Sequence, residues 1–134
     1  MMIPDLQSSL LCDDVRQERN GKFILIGLFD MLGLPVFPAV FQRLCVINRW
    51  CCGEGDFKQR SRILLSDSST ILVEGQDVPI HLPGNEATAT SIEFFMNVKF
   101  EREGTYWVEI LLDGDIKLRY PLTVKKVQAP QGQG

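Results

Sequence analysis

Glycine, proline and Asx residues punctuate this chain about every 10 to 14 residues, and the segments between them are rich in Val, Ile, Phe, Leu and Thr with period-two alternation. That spacing is typical of sandwiches and barrels and predicts an all-β chain. The one competing element is the start, where Leu6, Leu10, Leu11 and Val15 fall on one helical face. Asn20-Gly21, between 14–18 and 22–30, is the strongest short hairpin signal available and favours a strand there. With 134 residues there is length for one core. A single domain is expected over 1–127, followed by a disordered tail over 128–134.

Alternation is clearest from Thr88 to Phe100. Thr90, Ile92, Phe94, Met96, Val98 and Phe100 share one face, expected to be core, and Ser91, Glu93, Asn97 and Lys99 the other, with Phe95 an exception on the wet side. The last hairpin is registered by pattern. A two-residue Asp113-Gly114 turn would mix apolar and charged residues on one face. A three-residue loop, Asp113-Gly114-Asp115, pairs Leu112 with Ile116, Ile110 with Leu118, Val108 with Tyr120 and Tyr106 with Leu122. It also sets Glu109 opposite Arg119 and Trp107 opposite Pro121 on the outer face. Pro121 has no N–H for a ladder, so its strand is expected to be an edge, or bulged there. Gly104 two residues before Tyr106 resembles the tyrosine corner of immunoglobulin-like sandwiches, although Arg102 stands where those domains usually carry Asp and Val108 where antibody domains carry a cysteine. The expected fold is an immunoglobulin-like antiparallel β-sandwich of about seven to nine strands.

The chain also resembles a family of small uncharacterised bacterial proteins, classed as a domain of unknown function. The residues that carry the likeness are Leu10-Leu11-Cys12-Asp13-Asp14-Val15-Arg16, Asn20-Gly21-Lys22, Leu25-Ile26-Gly27-Leu28-Phe29-Asp30, Phe37-Pro38-Ala39 and the hairpin from Gly104 to Val124. The resemblance implies a compact β-sandwich and supplies no mechanism.

Composition excludes more functions than it suggests. Fourteen Lys and Arg against seventeen Asp and Glu give no global attraction to nucleic acid or anionic membrane. The N-terminus has no basic region, and the longest uncharged run, Met31 to Gln42, carries two prolines and falls short of the ~18 apolar residues of a span. The chain reads as cytoplasmic. Cys12, Cys45, Cys51 and Cys52 include no C-x-x-C pair; Cys51 and Cys52, as strand neighbours, point to opposite faces and cannot share a metal without a break in the strand. They read as small buried hydrophobes with free thiols.

Candidate sites are few. In a two-residue Asn20-Gly21 hairpin, Asp14 lies opposite Gly27 and Asp13 opposite Leu28, so one carboxylate points into a protected environment that raises its pKa unless backbone N–H groups bond it. With Asp30 these form a possible cation or structural acidic site. Asp113-Gly114-Asp115 reads as a turn before a calcium loop. His81, the only histidine, has no Gly-x-Ser-x-Gly elbow to serve, and Gly53-Glu54-Gly55 lacks the Lys-Ser/Thr of a phosphate loop. Lys58, Arg60 and Arg62 share a strand face and would form a basic stripe with Lys117 and Arg119 were those strands adjacent. The greasy segment from Met31 to Phe41 is either a crossover folded over an open end of the sandwich or a docking surface in which Leu34, Val36, Phe37 and Phe41 hold a protein partner or a second copy. The expected role is a non-catalytic binding or scaffolding module with no cofactor, no nucleic acid and no membrane. The alternatives are a carbohydrate- or calcium-binding sandwich, with Trp50 or Trp107 as a stacking surface, and an enzyme with an acidic site.

Overall fold

In this computed structural model, which describes residues 2–128, every regular element is a strand. They run β1 (Asp5–Cys12), β2 (Asp14–Gln17), β3 (Phe23–Ile26), β4 (Met31–Leu34), β5 (Ala39–Cys51), β6 (Gly55–Leu64), β7 (Ile71–Glu74), β8 (Val78–Leu82), β9 (Thr88–Phe100), β10 (Gly104–Leu112) and β11 (Asp115–Lys126). The tail expected over 128–134 lies, beyond Gln128, outside the described residues. A three-stranded sheet, β1-β5-β9, packs on a six-stranded one, β4-β11-β10-β6-β7 with β8 also on β6, and β2 and β3 pair only with each other. The orders β1-β5-β9 and β11-β10-β6 are those of the ABE and GFC sheets of an immunoglobulin-like sandwich, and nine strands make up the two sheets. One pairing departs from the antiparallel expectation: β4 runs parallel to β11.

The core between the sheets is one cluster containing Leu44, Val46, Trp50, Ile63, Val98, Phe100, Tyr106, Val108, Ile110 and Leu122. Tyr106 is the corner residue. Its hydroxyl donates to the Arg102 carbonyl at 2.6 Å and its ring meets Phe100 edge-on, so the Arg side chain in place of Asp has no bearing on the bond. Trp107 faces Pro121, Glu109 faces Arg119, and β4 joins β11 only from Thr123 onward, leaving Pro121 on a free edge.

Both expected turns differ in length from the structure. Asp113 and Gly114, at φ 49° and 87°, form a two-residue turn that pairs Leu112 with Asp115 rather than Ile116. A bulge before Ile110↔Leu118 supplies the offset that the side-chain pattern requires, so the expected register holds from there onward. The first hairpin is the converse. Glu18 N–H bonds the Lys22 carbonyl and Gly21 N–H bonds the Glu18 carbonyl, so its loop has three residues, with Gly21 at φ 92°. Asp14 therefore faces Ile26, not Gly27.

The Thr88–Phe100 reading is corrected in its first half. Ser91, Glu93 and Phe95 point inward, while Phe94 and Met96 are 40% and 58% exposed and Ile92 is half-buried; only Val98 and Phe100 follow the expected face. Asn97, in the left-handed region at φ 54°, inverts the alternation. Its counterpart Gln42 leaves the ladder at the same level, so β5 switches faces too: Phe41 packs inward on one side of the break, Leu44 and Val46 on the other. Pairing across β5 and β9 stays in register throughout.

Candidate functional site

The face inversion turns an apolar strip of β9 outward. On the outer surface of the three-stranded sheet, Leu10, Ile47 and Ile92 form one cross-strand row, and Cys12, Cys45 and Phe94 the next. Arg43, opposite Met96, lays its guanidinium 4.4 Å above the Phe94 ring. The β2–β3 hairpin stands beside this surface, and between them runs a cleft of about 650 Å³ lined by Leu10, Phe23, Leu25, Ile47, Arg49 and Thr90. Asp14 ties the hairpin to the sheet, its carboxylate accepting from Arg43 Nη2 at 2.9 Å and Arg16 Nε at 3.2 Å.

The acidic site expected at Asp13, Asp14 and Asp30 does not assemble as a protected carboxylate. Asp13 and Asp30 are exposed. Asp14 is held below the usual carboxylate range by the Val15 N–H and by Arg16 and Arg43, which is the outcome expected where a backbone N–H bonds the carboxylate. Among the described residues, no three His, Cys, Asp or Glu side chains are grouped to hold a metal ion. Of the four apolar docking candidates, Val36 is 64% exposed, whereas Leu34, Phe37 and Phe41 are half-buried and pack against the core, Phe41 edge-on to Phe29.

His81 sits on the short edge strand β8, its Nδ1 2.7 Å from Asp56 Oδ1, in a shallow cleft with Phe57, Lys58, Pro79, Ile80 and Asp113. No serine or cysteine lines that cleft. The basic stripe does not form: β10 separates β6 from β11, and its buried Glu109 accepts from Arg62 Nε at 2.8 Å and Arg119 Nε at 2.7 Å. Glu74 and Asp77 pair with Arg60 and extend the alternation of charge. Trp50 is fully buried and Trp107 half-buried, so neither offers an open stacking face.

A second cluster lies between the sheets, where the alternation had placed solvent. The Trp50 indole N–H donates to Gln59 Oε1 at 3.4 Å and Asn48 Nδ2 donates to the same oxygen at 2.8 Å. An indole can only donate, which orients the Gln59 amide so that its Nε2 donates to Glu93 Oε1 at 3.1 Å. Asn48 Nδ2 also donates to Ser61 Oγ, leaving Asn48 Oδ1, Ser91 Oγ and Glu93 Oε2 buried without partners. Burial pushes the Glu93 carboxyl up. The signal for both surfaces was Asn97: asparagine is depleted in strands and enters the left-handed region more readily than other side-chain-bearing residues.

The cysteines follow expectation in part: Cys12 and Cys45 are buried free thiols, whereas Cys51 and Cys52 depart from it. Cys12 and Cys45 are directly opposite on β1 and β5 and fully buried, and burial pushes the Cys45 thiol up to about 12. Cys51 and Cys52 do not splay to opposite faces; the strand ends between them, and their sulfurs lie 3.3 Å apart.

A family model described as a family of unknown function (DUF6941) matches residues 7–125. The chain belongs to that family. Among curated proteins nothing matches. Among solved structures, the chain is similar to the CARDB domain of the PF1109 protein from Pyrococcus furiosus, crystallised in complex with di-metal ions. The two are 13% identical, with 95% of this chain and 98% of that one covered and a TM-score of 0.48. No helix among the described residues of this family member is long and apolar enough to cross a membrane.

Proposed function

We propose that this chain is a non-catalytic binding module that takes an extended apolar segment of a partner protein along the free edge of β9. The observation that carries this reading is the inverted half of β9. It is an edge strand with one hydrogen-bonded neighbour, and it turns Ile92, Phe94 and Met96 toward the outer surface. Natural edges are usually blunted by proline or exposed charge. Between Glu86 and Lys99 this strand has neither, because its one charged side chain, Glu93, points inward. An added strand would gain main-chain hydrogen bonds at the edge and set alternate side chains beside Phe94 and Met96.

Panning a random peptide library against the native chain and against Met96→Lys tests this. Met96 is exposed, so the substitution leaves the core intact. Peptides are expected to bind the native chain, to be lost with Met96→Lys, and to slow amide exchange in β9. Peptides that survive Met96→Lys but are lost with Val36→Lys would transfer the site to the segment between β4 and β5. A pure native chain that dimerises through β9 would make the occupant a second copy. If no peptide binds, the reading falls.

A further inference from the structure

Adjacent cysteines in a regular strand point to opposite faces, too far apart to react with each other. Cys51 and Cys52 escape this because β5 ends at Cys51 and Cys52 takes φ 63°, a conformation that costs a side-chain-bearing residue roughly 1 kcal/mol or more. The outcome is a hydrogen bond from Cys52 Sγ to Cys51 Sγ at 3.3 Å, at a turn where Cys51 is half-buried and Cys52 exposed. The turn is clamped from outside. Met2 and Glu54 exchange two backbone hydrogen bonds, at 3.1 and 2.9 Å, and Gly53 is buried so closely against Pro4 that a Cβ there would come within 2.7 Å of the proline. The two sulfurs are thus held side by side by structure that does not depend on them.

We propose that Cys51 and Cys52 are a redox modification site that closes reversibly to a disulfide between adjacent residues. The oxidant is a small-molecule disulfide such as glutathione disulfide. The exposed Cys52, as thiolate, attacks one glutathione sulfur, forming a mixed disulfide and releasing one glutathione thiolate. Cys51, as thiolate, then attacks the Cys52 sulfur, forming the Cys51–Cys52 bond and releasing the second glutathione. The protein loses two electrons and two protons, and one glutathione disulfide becomes two glutathiones. Neighbouring Cα atoms are about 3.8 Å apart, shorter than the usual disulfide span, so the ring is strained and easily reduced. Strained, exposed disulfides are the labile and regulatory kind. In this turn part of the distortion is present before the bond forms. The buried pair Cys12 and Cys45 has no comparable access to oxidant.

Trypsin separates the possibilities, because Trp50–Lys58 contains Cys51 and Cys52 and no other cysteine, while Cys12 and Cys45 fall in two further peptides. After equilibration in glutathione redox buffers and acid quenching, the 50–58 peptide is expected to be lighter by two hydrogen atoms. The closed fraction should follow a ring-closing constant at least about tenfold larger in the native chain than in urea. Cys52→Ser is expected to stop at a mixed disulfide on Cys51 or to remain reduced. Recovery of the native peptide with two free thiols, with glutathione attached, or cross-linked to another chain at every buffer ratio would overturn the proposal. So would a ring-closing constant unchanged by urea.

Discussion

Glu93 on β9 and Glu109 on β10 are both buried, and their neighbours push the two carboxyls in opposite directions. For Glu93 burial dominates, and the neutral hydrogen-bonding groups of Ser61 and Gln59 offset it only in part, so its folded pKa lies above the ordinary glutamate value. Between those two values the native chain binds more protons than the unfolded one, so this residue erodes stability as pH rises through the window and the loss then levels off. Glu93→Gln keeps an acceptor for Gln59 and removes the charge. Urea melts at about pH 4 and about pH 8 are expected to show the variant gaining about 1 kcal/mol over the native chain at the higher pH and little at the lower. Equal differences at both would exclude an ionising role. At Glu109 burial pulls upward as well, but hydrogen bonds from Arg119 and Arg62 outweigh it and hold the carboxyl below its usual range. That contribution is present above the ordinary glutamate value and lost as pH falls through the depressed one. Arg62→Met, which leaves Glu109 buried with Arg119 alone, is expected to cost about 2 kcal/mol at neutral pH, with the deficit shrinking in acid melts.

At the scale of the strand, Asn97 decides which side of β9 meets solvent. A β-branched residue at φ 54° is strained, so Asn97→Val is expected to lose about 1–2 kcal/mol in denaturant melts, while Asn97→Gly stays within a few tenths of a kcal/mol of the native chain. If valine is tolerated, the inversion does not depend on this residue. The same position marks where the sequence stops being legible. Alternation identified β9 as a strand and placed Val98 and Phe100 in the core. It could not show that residues 90–96 face the other way, because Ile92-Glu93-Phe94-Phe95-Met96 is apolar on both faces but for one glutamate. The hairpins failed for a related reason. Pattern fixes how far one strand is offset from its partner and is silent on whether the extra residue sits in the loop or in a bulge. It was therefore right about Ile110↔Leu118 and Glu109↔Arg119 and wrong about the turn between them. The tyrosine corner was legible because it needs one side chain and a backbone carbonyl, four residues apart. The network of Asn48, Gln59, Ser61 and Glu93 was not, since it joins three strands through contacts that no local spacing encodes.

Across the whole molecule, the first 34 residues stitch the sandwich together: β1 closes the small sheet on β5, β4 runs parallel to β11 in the large one, and the β2–β3 hairpin spans the crossing between them. The strands differ sharply in how they are held. β5 and β10 each have hydrogen-bonded neighbours on both sides, whereas β2 and β3, four residues each, pair as strands only with one another and are tied to the sheet by the Asp14–Arg43 ion pair and, at the base of the hairpin, by the Asp13 N–H to the Ile26 carbonyl and the Leu11–Phe29 bridge. Ion pairs at that exposure add little, so the hairpin lacks the buried area that would tie it to global unfolding. Native-state hydrogen exchange is expected to show β2 and β3 amides opening locally, with rates insensitive to low urea, while β5 and β10 amides exchange only through global unfolding. Phe23 and Leu25 of that hairpin line the cleft whose floor includes Leu10 and Ile47, so local opening would bare the apolar outer face without loosening the core. Arg43→Ala, which removes the ion pair to Asp14, should speed exchange in β2 and β3 and leave β5 and β10 unchanged. Hairpin amides as protected as those of β5 would instead make the flap part of the cooperative core, and the cleft a fixed feature of the surface.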